Sequence, residues 1–137
     1  MRHERLKPPL VSFPIGCGVD VVELARFRRA MARGGAPFMR RIFTRHEEAY
    51  AKARRRTALL HLAGRFAAKE AVLKAVAQLE PRRRLAMHQI EVRNDSLGRP
   101  HVVFHDRPVA RRRRGLTVHI SLSHVESVAI ASAIALR

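Results

Sequence analysis

The chain has 137 residues, enough for one domain with a real core, and 47% of them are hydrophobic. No apolar run reaches membrane-spanning length and the basic N-terminus lacks a signal-peptide core, so the sequence reads as a soluble, cytoplasmic protein. The single cysteine, Cys17, excludes an intrachain disulfide and a cysteine-based zinc site, and the formal charge of +17 favours a polyanionic partner. Nucleic acid, an acidic protein and a phosphate-rich small molecule all fit that charge. The arginine runs 54–56, 82–84 and 111–114 read individually as solvated loops and helix ends. Aromatic content of 5%, without Trp, weakens the case for a base-stacking surface.

Residues 1–14 hold three prolines and four basic side chains, and read as a flexible extension before a single domain over 15–137. Ile15 to Val22 predicts a short strand whose glycines allow close backbone approach, with Cys17 as a small core residue. Glu23 to Ala32 has helical spacing through Leu24, Phe27 and Met31 and is expected to end at Gly34-Gly35. Phe38 to Phe43 is a short apolar and basic segment. Thr44 and Glu47 form a capping-box signature for a helix through about Arg54. A long helix follows from about Thr57 to Leu79, with Gly64 a candidate break and Pro81 a stop. Beyond Pro81 the period changes. Met87 to Val92 and His101 to Phe104 predict strands joined by the turn at Asn94 to Gly98, and Gly115 caps a basic segment. Thr117 to Leu122 and Val128 to Ala135 predict two more strands. The fold class is α+β, with a strand and helices around one long helix and an antiparallel sheet after it.

The long helix carries the strongest signal. At about 100° per residue, Leu59, Leu62, Phe66, Leu73 and Ala77 share one apolar arc. Glu70 falls inside that arc, Lys74 at its margin and Lys69 near the other edge. Ala67, Ala68, Ala71 and Ala75 form the opposite, small-residue face. This pattern predicts Glu70 on the buried side, where a carboxylate needs a cation, a metal or a proton. The plainer alternative is an i,i+4 surface pair of Glu70 with Lys74, worth a few tenths of a kcal/mol. Asp20, at the end of the glycine-flanked strand, reads by itself as a helix cap. On the strand over 117–124, His119, Ser121 and Ser123 share one face, and Ile120, Leu122 and His124 the other. A Ser/His hydrolase lacks a nucleophile elbow here. His101 and His105 read as surface residues.

Taken in order, Gly18-Val19-Asp20-Val21-Val22-Glu23-Leu24, Arg41 to Thr44 with Glu47 and Tyr50, Leu62 to Ala71, Ile90-Glu91-Val92 with Asn94, Asp95 and Gly98-Arg99-Pro100, and His119 to His124 closely resemble the holo-[acyl-carrier-protein] synthase family of phosphopantetheinyl transferases. The resemblance runs from Ile15 to the C-terminus. It implies a phosphopantetheinyl transferase-like fold and transfer of phosphopantetheine from coenzyme A to a serine of an apo acyl carrier protein, releasing adenosine 3′,5′-bisphosphate. It implies Mg²⁺ held by Asp20 and Glu70, catalytic roles for Glu70 and Lys74, and coenzyme A contacts from Arg65, Lys74, His119 and Ser121. It further implies an acidic carrier protein docked on Arg26 and Arg29, a homotrimer with active sites between subunits, and a place in fatty acid biosynthesis. Nucleic acid would then bind only non-specifically. The chain departs from the family after Lys74, where a Gly-Thr-Gly stretch is usual. It reads Ala75 to Arg84 instead, with Arg82, Arg83 and Arg84 as substitute positive charge. Two readings compete with an active transferase. One is a basic nucleic-acid-binding domain; the other is a carrier-binding, transferase-like protein with weakened catalysis.

Overall fold

The structure, a computed structural model, describes residues 14–106 and 115–137. The extension over 1–14 and the basic segment 107–114 fall outside them, apart from Pro14. Strand β1 (Ile15–Glu23) leads into helix α1 (Leu24–Ile42), helix α2 (Arg45–Lys52) and helix α3 (Ala58–Leu79). Then come β2 (Ile90–Asn94), β3 (Pro100–Phe104), β4 (Thr117–His124) and β5 (Val128–Leu136). β1, β5 and β4 form an antiparallel sheet in that order, and β2–β3 is a separate hairpin. The α+β class and the long central helix are as expected. No described helix is long and apolar enough to cross a membrane.

Some local expectations hold and others are corrected. At Gly34-Gly35 the first helical stretch ends as expected: Gly35 leaves helical geometry at φ 57° and ψ −149°, and a second stretch, counted here within α1, continues across this kink to Ile42. Pro37 is tolerated because it falls in the first turn after the bend, where its missing N–H has no helical partner to lose. Gly64 does not break α3, which runs unbroken to Leu79. Met87–Gln89 is a 3₁₀ turn ahead of β2. The Thr44 capping box is present in full: Thr44 accepts from the Glu47 amide, and the Glu47 carboxylate accepts from the Thr44 amide.

The helical wheel of α3 misplaced the core. Ala63, Ala67, Ala68, Ala71 and Ala75 are buried; of the expected arc only Leu62 is buried, whereas Leu59, Phe66 and Leu73 are partly covered and Ala77 is exposed. The small face is small because the sheet lies directly on it. Gly16 and Gly18 rest on α3 so closely that a Cβ would come within 2.0 Å of the Ala75 carbonyl oxygen and 2.1 Å of that of Ala71. From β5, Ala129, Ala131, Ala133 and Ala135 complete the same layer. With the glycines facing α3, strand alternation sends Cys17 outward, and it is exposed rather than a core residue.

The fully buried charge on α3 is Lys69, with Arg65 nearly so, whereas Glu70 is only half-buried. Lys69 Nζ meets Glu47 Oε2 at 2.6 Å with both side chains fully buried. It also donates to the carbonyls of Ile42 and Met87, and Glu47 Oε1 accepts the Val92 amide at 2.7 Å. Burial pushes the Lys69 pKa below its ordinary value, against the pull of Glu47. This cluster ties α1, α2, α3 and β2 together. Beside it, Glu91 is held by hydrogen bonds from Thr44, Arg93 and His105, the last at 3.4 Å. Burial alone would raise its pKa, but those bonds outweigh burial and bring it from 4.5 to about 2. A depressed carboxyl stabilises the fold above its unfolded pKa and loses that contribution as pH falls through the folded one. Wild-type urea midpoints should therefore drop between pH 4.5 and about 2 more steeply than those of Glu91→Gln. Parallel acid profiles would contradict this account of Glu91.

Candidate active site

Close packing of β1 on α3 builds the site. Asp20 follows Gly16 and Gly18 on the same face of β1, one step further along α3 towards its N-terminus. That step brings it to Glu70 and Lys74. Lys74 Nζ donates to Asp20 Oδ1 at 3.1 Å and to the Val19 carbonyl at 2.8 Å. Glu70 is half-buried, and its pKa is raised, first by burial and then by the Asp20 charge, with Lys74 opposing. Two carboxylates thus lie close enough for their charges to interact, at a partly exposed position with the Lys74 ammonium beside them.

Such a pair offers hard oxygen donors from two separate elements. Among the described residues there is no group of three or more His, Cys, Asp or Glu side chains able to hold a metal. A cation here would therefore complete its shell with water and substrate oxygens. That donor set fits Mg²⁺, which keeps several waters and takes one or two carboxylates plus phosphate.

The remaining expected residues do not converge on this pair within one chain. Arg65 lies on α3 about 140° around the helix from Glu70. It is 3% exposed and opens into a second cavity lined by Tyr50, His61, Asn94, Ser123 and His124. Its Nη2 donates to Asn94 Oδ1 at 2.9 Å, its guanidinium lies 4.0 Å from the Tyr50 ring centre, and its buried Nε has no hydrogen-bond partner among the described residues. Burial pushes the Arg65 pKa down, and His61 is lowered by burial and then by Arg65 and Arg54. The cavity thus offers one guanidinium, from Arg65, together with polar side chains from Tyr50, His61, Asn94, Ser123 and His124. His119 and Ser121 are exposed on the outer face of the sheet, away from α3. Arg26 and Arg29 are exposed on α1, just after the strand that carries Asp20. Of the three arginines after Pro81, Arg83 is already committed: it binds Asp106 through Nε and Nη2, each at 3.0 Å, and Glu80 through Nη1. Only Arg82 and Arg84 stand exposed as substitute charge. Sequence reasoning passed over the Tyr50–His61–Asn94 wall because its members come from three elements.

A carboxylate pair set by a glycine strand on one side of a long helix, and an arginine-lined cavity on another, suit an enzyme that handles phosphorylated substrates. The chain belongs to the 4′-phosphopantetheinyl transferase superfamily, whose family model matches residues 16–132. It is 38% identical over 122 residues to the holo-[acyl-carrier-protein] synthase of Koribacter versatilis, covering 88% of this chain and 96% of that one. Its fold is similar to the crystal structure of a Bacillus anthracis holo-(acyl-carrier-protein) synthase in complex with CoA (3′,5′-ADP). That similarity has a TM-score of 0.72 at 32% identity and covers 91% of this chain and 98% of that one. A Chronobacterium ammoniagenes ACPS–CoA complex matches with a TM-score of 0.74 at 28% identity over 89% and 96% of the two chains.

Proposed function

We propose that this chain is a holo-[acyl-carrier-protein] synthase. It transfers phosphopantetheine from coenzyme A to a serine hydroxyl of an apo acyl carrier protein and releases adenosine 3′,5′-bisphosphate. The observation that carries the reading is the Asp20–Glu70 pair, set by glycine packing with the Lys74 ammonium beside it. Asp20 and Glu70 would hold Mg²⁺, which when bound neutralises charge on the pyrophosphate and on the phosphoryl group being transferred. The serine oxygen forms a bond to the phosphorus next to pantetheine as the bond to the leaving bisphosphate breaks. Lys74, held in place by the Val19 carbonyl and Asp20, presents its ammonium to the leaving phosphate. The cavity around Arg65 suits the phosphorylated nucleoside end of coenzyme A, because a buried guanidinium with an unused donor favours an anion.

The carboxylate pair and the Arg65 cavity lie on different sides of α3, and His119 and Ser121 lie on the far side of the sheet. A homotrimer would resolve this by setting these parts against each other across subunits. The outer sheet face supports such an assembly. Ile15, Val19, Val21 and Ile134 are each about half exposed there, with Ile130 beside them. Large apolar residues facing out while alanines face in is the reverse of a solvated sheet.

The test of the site reading is thermal. Coenzyme A with Mg²⁺ should raise the melting temperature of the wild type, because a ligand of the native state stabilises it. The shift should vanish in Asp20→Ala. A salt-resistant, sequence-selective nucleic-acid complex with no such shift would favour the nucleic-acid reading instead.

Carrier docking is assigned to the exposed arginines of α1. Arg26, Arg29 and Arg33 recur at i, i+3 and i+7 on one face, directly after the Asp20 strand. Arg26→Glu should raise KM for the carrier protein, and wild-type binding should weaken with salt, while affinity for coenzyme A stays unchanged. An equal loss of coenzyme A affinity would count against docking.

A further inference from the structure

Strand β1 pairs with β5 on one side and with no described strand on the other. Its open edge is nevertheless occupied. Gln78 on α3 donates from Nε2 to the Cys17 carbonyl at 2.7 Å and accepts the Cys17 amide at Oε1 at 3.1 Å. One side-chain amide thus makes the paired contact that a neighbouring strand would make. One helical turn earlier, Lys74 holds the Val19 carbonyl on the same edge. Alongside these contacts, Gly16 and Gly18 rest on Ala75 and Ala71. The rungs advance by two strand residues, about 6.6 Å, for every four helix residues, about 6 Å, so β1 and α3 stay in step. The next step carries Asp20 onto the turn of α3 that holds Ala67 and Glu70, where the Asp20 charge acts on the Glu70 carboxyl. The glycine contacts limit how closely the strand approaches but are non-directional. β5 also packs on α3 and seats the sheet as a whole. Lys74 and Gln78 add directional contacts at the β1 edge, and Gln78 binds both the N–H and the C=O of one strand residue.

We infer that Gln78 is a positioning residue for the divalent-cation site, holding β1 in register on α3 so that Asp20 stands opposite Glu70. This rests on the reading of those carboxylates as the metal site. Gln78 acts through β1: its side-chain amide binds the two backbone polar atoms of Cys17. The experiment is direct titration of metal-free protein with Mn²⁺, followed by the paramagnetic signal of the free ion, on wild type, Gln78→Met, Gln78→Asn and Asp20→Ala. Met keeps the length without the polar atoms; Asn keeps the amide but is one methylene short. Both should weaken Mn²⁺ binding about tenfold, as expected when support behind a metal ligand is lost. KM for Mg²⁺ should rise in parallel, with kcat at saturating Mg²⁺ and KM for the carrier protein unchanged. The melting temperature should hardly move, because Gln78 and Cys17 are both exposed. Unchanged Mn²⁺ affinity in Gln78→Met, or in Gln78→Asn should the first variant not fold, overturns the inference while Asp20→Ala still loses binding. So does a uniform fall in kcat, both KM values and melting temperature, which marks a merely structural residue. If Asp20→Ala also binds Mn²⁺ normally, it is the metal reading that fails.

Discussion

Asp20→Ala and Glu70→Ala are each expected to lower kcat/KM for phosphopantetheine transfer by about 10³-fold or more, since each removes half of the protein's hold on the charge-neutralising cation. Neither should unfold the protein. Asp20 contributes one partly exposed ion pair with Lys74, of a kind that adds little stability. Glu70 is held in a recess where burial and the Asp20 charge already oppose its ionised form. Glu70→Gln should therefore be neutral or slightly stabilising without metal, yet as inactive as Glu70→Ala. Steady-state assays over a Mg²⁺ series, with melting curves alongside, check both halves. Normal transfer by either alanine variant would remove the metal assignment. Inactivity with wholesale unfolding would remove the claim that the pair is kept for chemistry rather than for stability.

The largest stability loss is expected one residue away. Lys69→Met should cost about 3–5 kcal/mol, because it leaves the Glu47 carboxylate buried without its cation. Glu47 would keep the Val92 and Thr44 amides, and the Ile42 and Met87 carbonyls would lose a donor. Replacing both partners, Lys69→Met with Glu47→Leu, should recover much of the loss, since the uncompensated charge is then gone. Urea denaturation of the two single variants and the double variant measures this. A single-variant loss below about 1 kcal/mol would mean that water reaches the pair.

Adjacent residues on one helix stand in different surroundings, and the sequence showed this only in part. That Asp20, Glu70 and Lys74 come together was legible only through their short motifs, because the Asp20–Lys74 contact spans 54 residues. The Thr44–Glu47 capping box was legible because it is local. Its second role, pairing with Lys69, was not, because that contact spans 22 residues. The wheel of α3 failed for a physical reason. It assumes one buried face, whereas α3 is covered by the sheet on its alanine side and by α1, α2 and the β2–β3 hairpin around much of the rest. In such a helix, small residues mark where backbone comes close, and Gly16 and Gly18 are the other half of that signal. Cys17 was misassigned because an apolar run cannot say which of its two faces turns inward. β5 could have said so. Its alanines at 129, 131, 133 and 135 alternate with Ile130, Ser132 and Ile134, placing the small set against α3 and the large set outward. Gln78 carries a weak signal of its own, standing at i+4 from Lys74 and i+8 from Glu70 on one helical stripe.

The central claim is that the Asp20–Glu70–Lys74 recess transfers phosphopantetheine to an acyl carrier protein. Mass spectrometry of an apo acyl carrier protein incubated with this protein, coenzyme A and Mg²⁺ tests it most directly. The account predicts a gain of one phosphopantetheine mass on the carrier protein, at its serine, dependent on Mg²⁺ and absent with Asp20→Ala. A carrier protein of unchanged mass, with folded wild-type protein that binds coenzyme A, would contradict it.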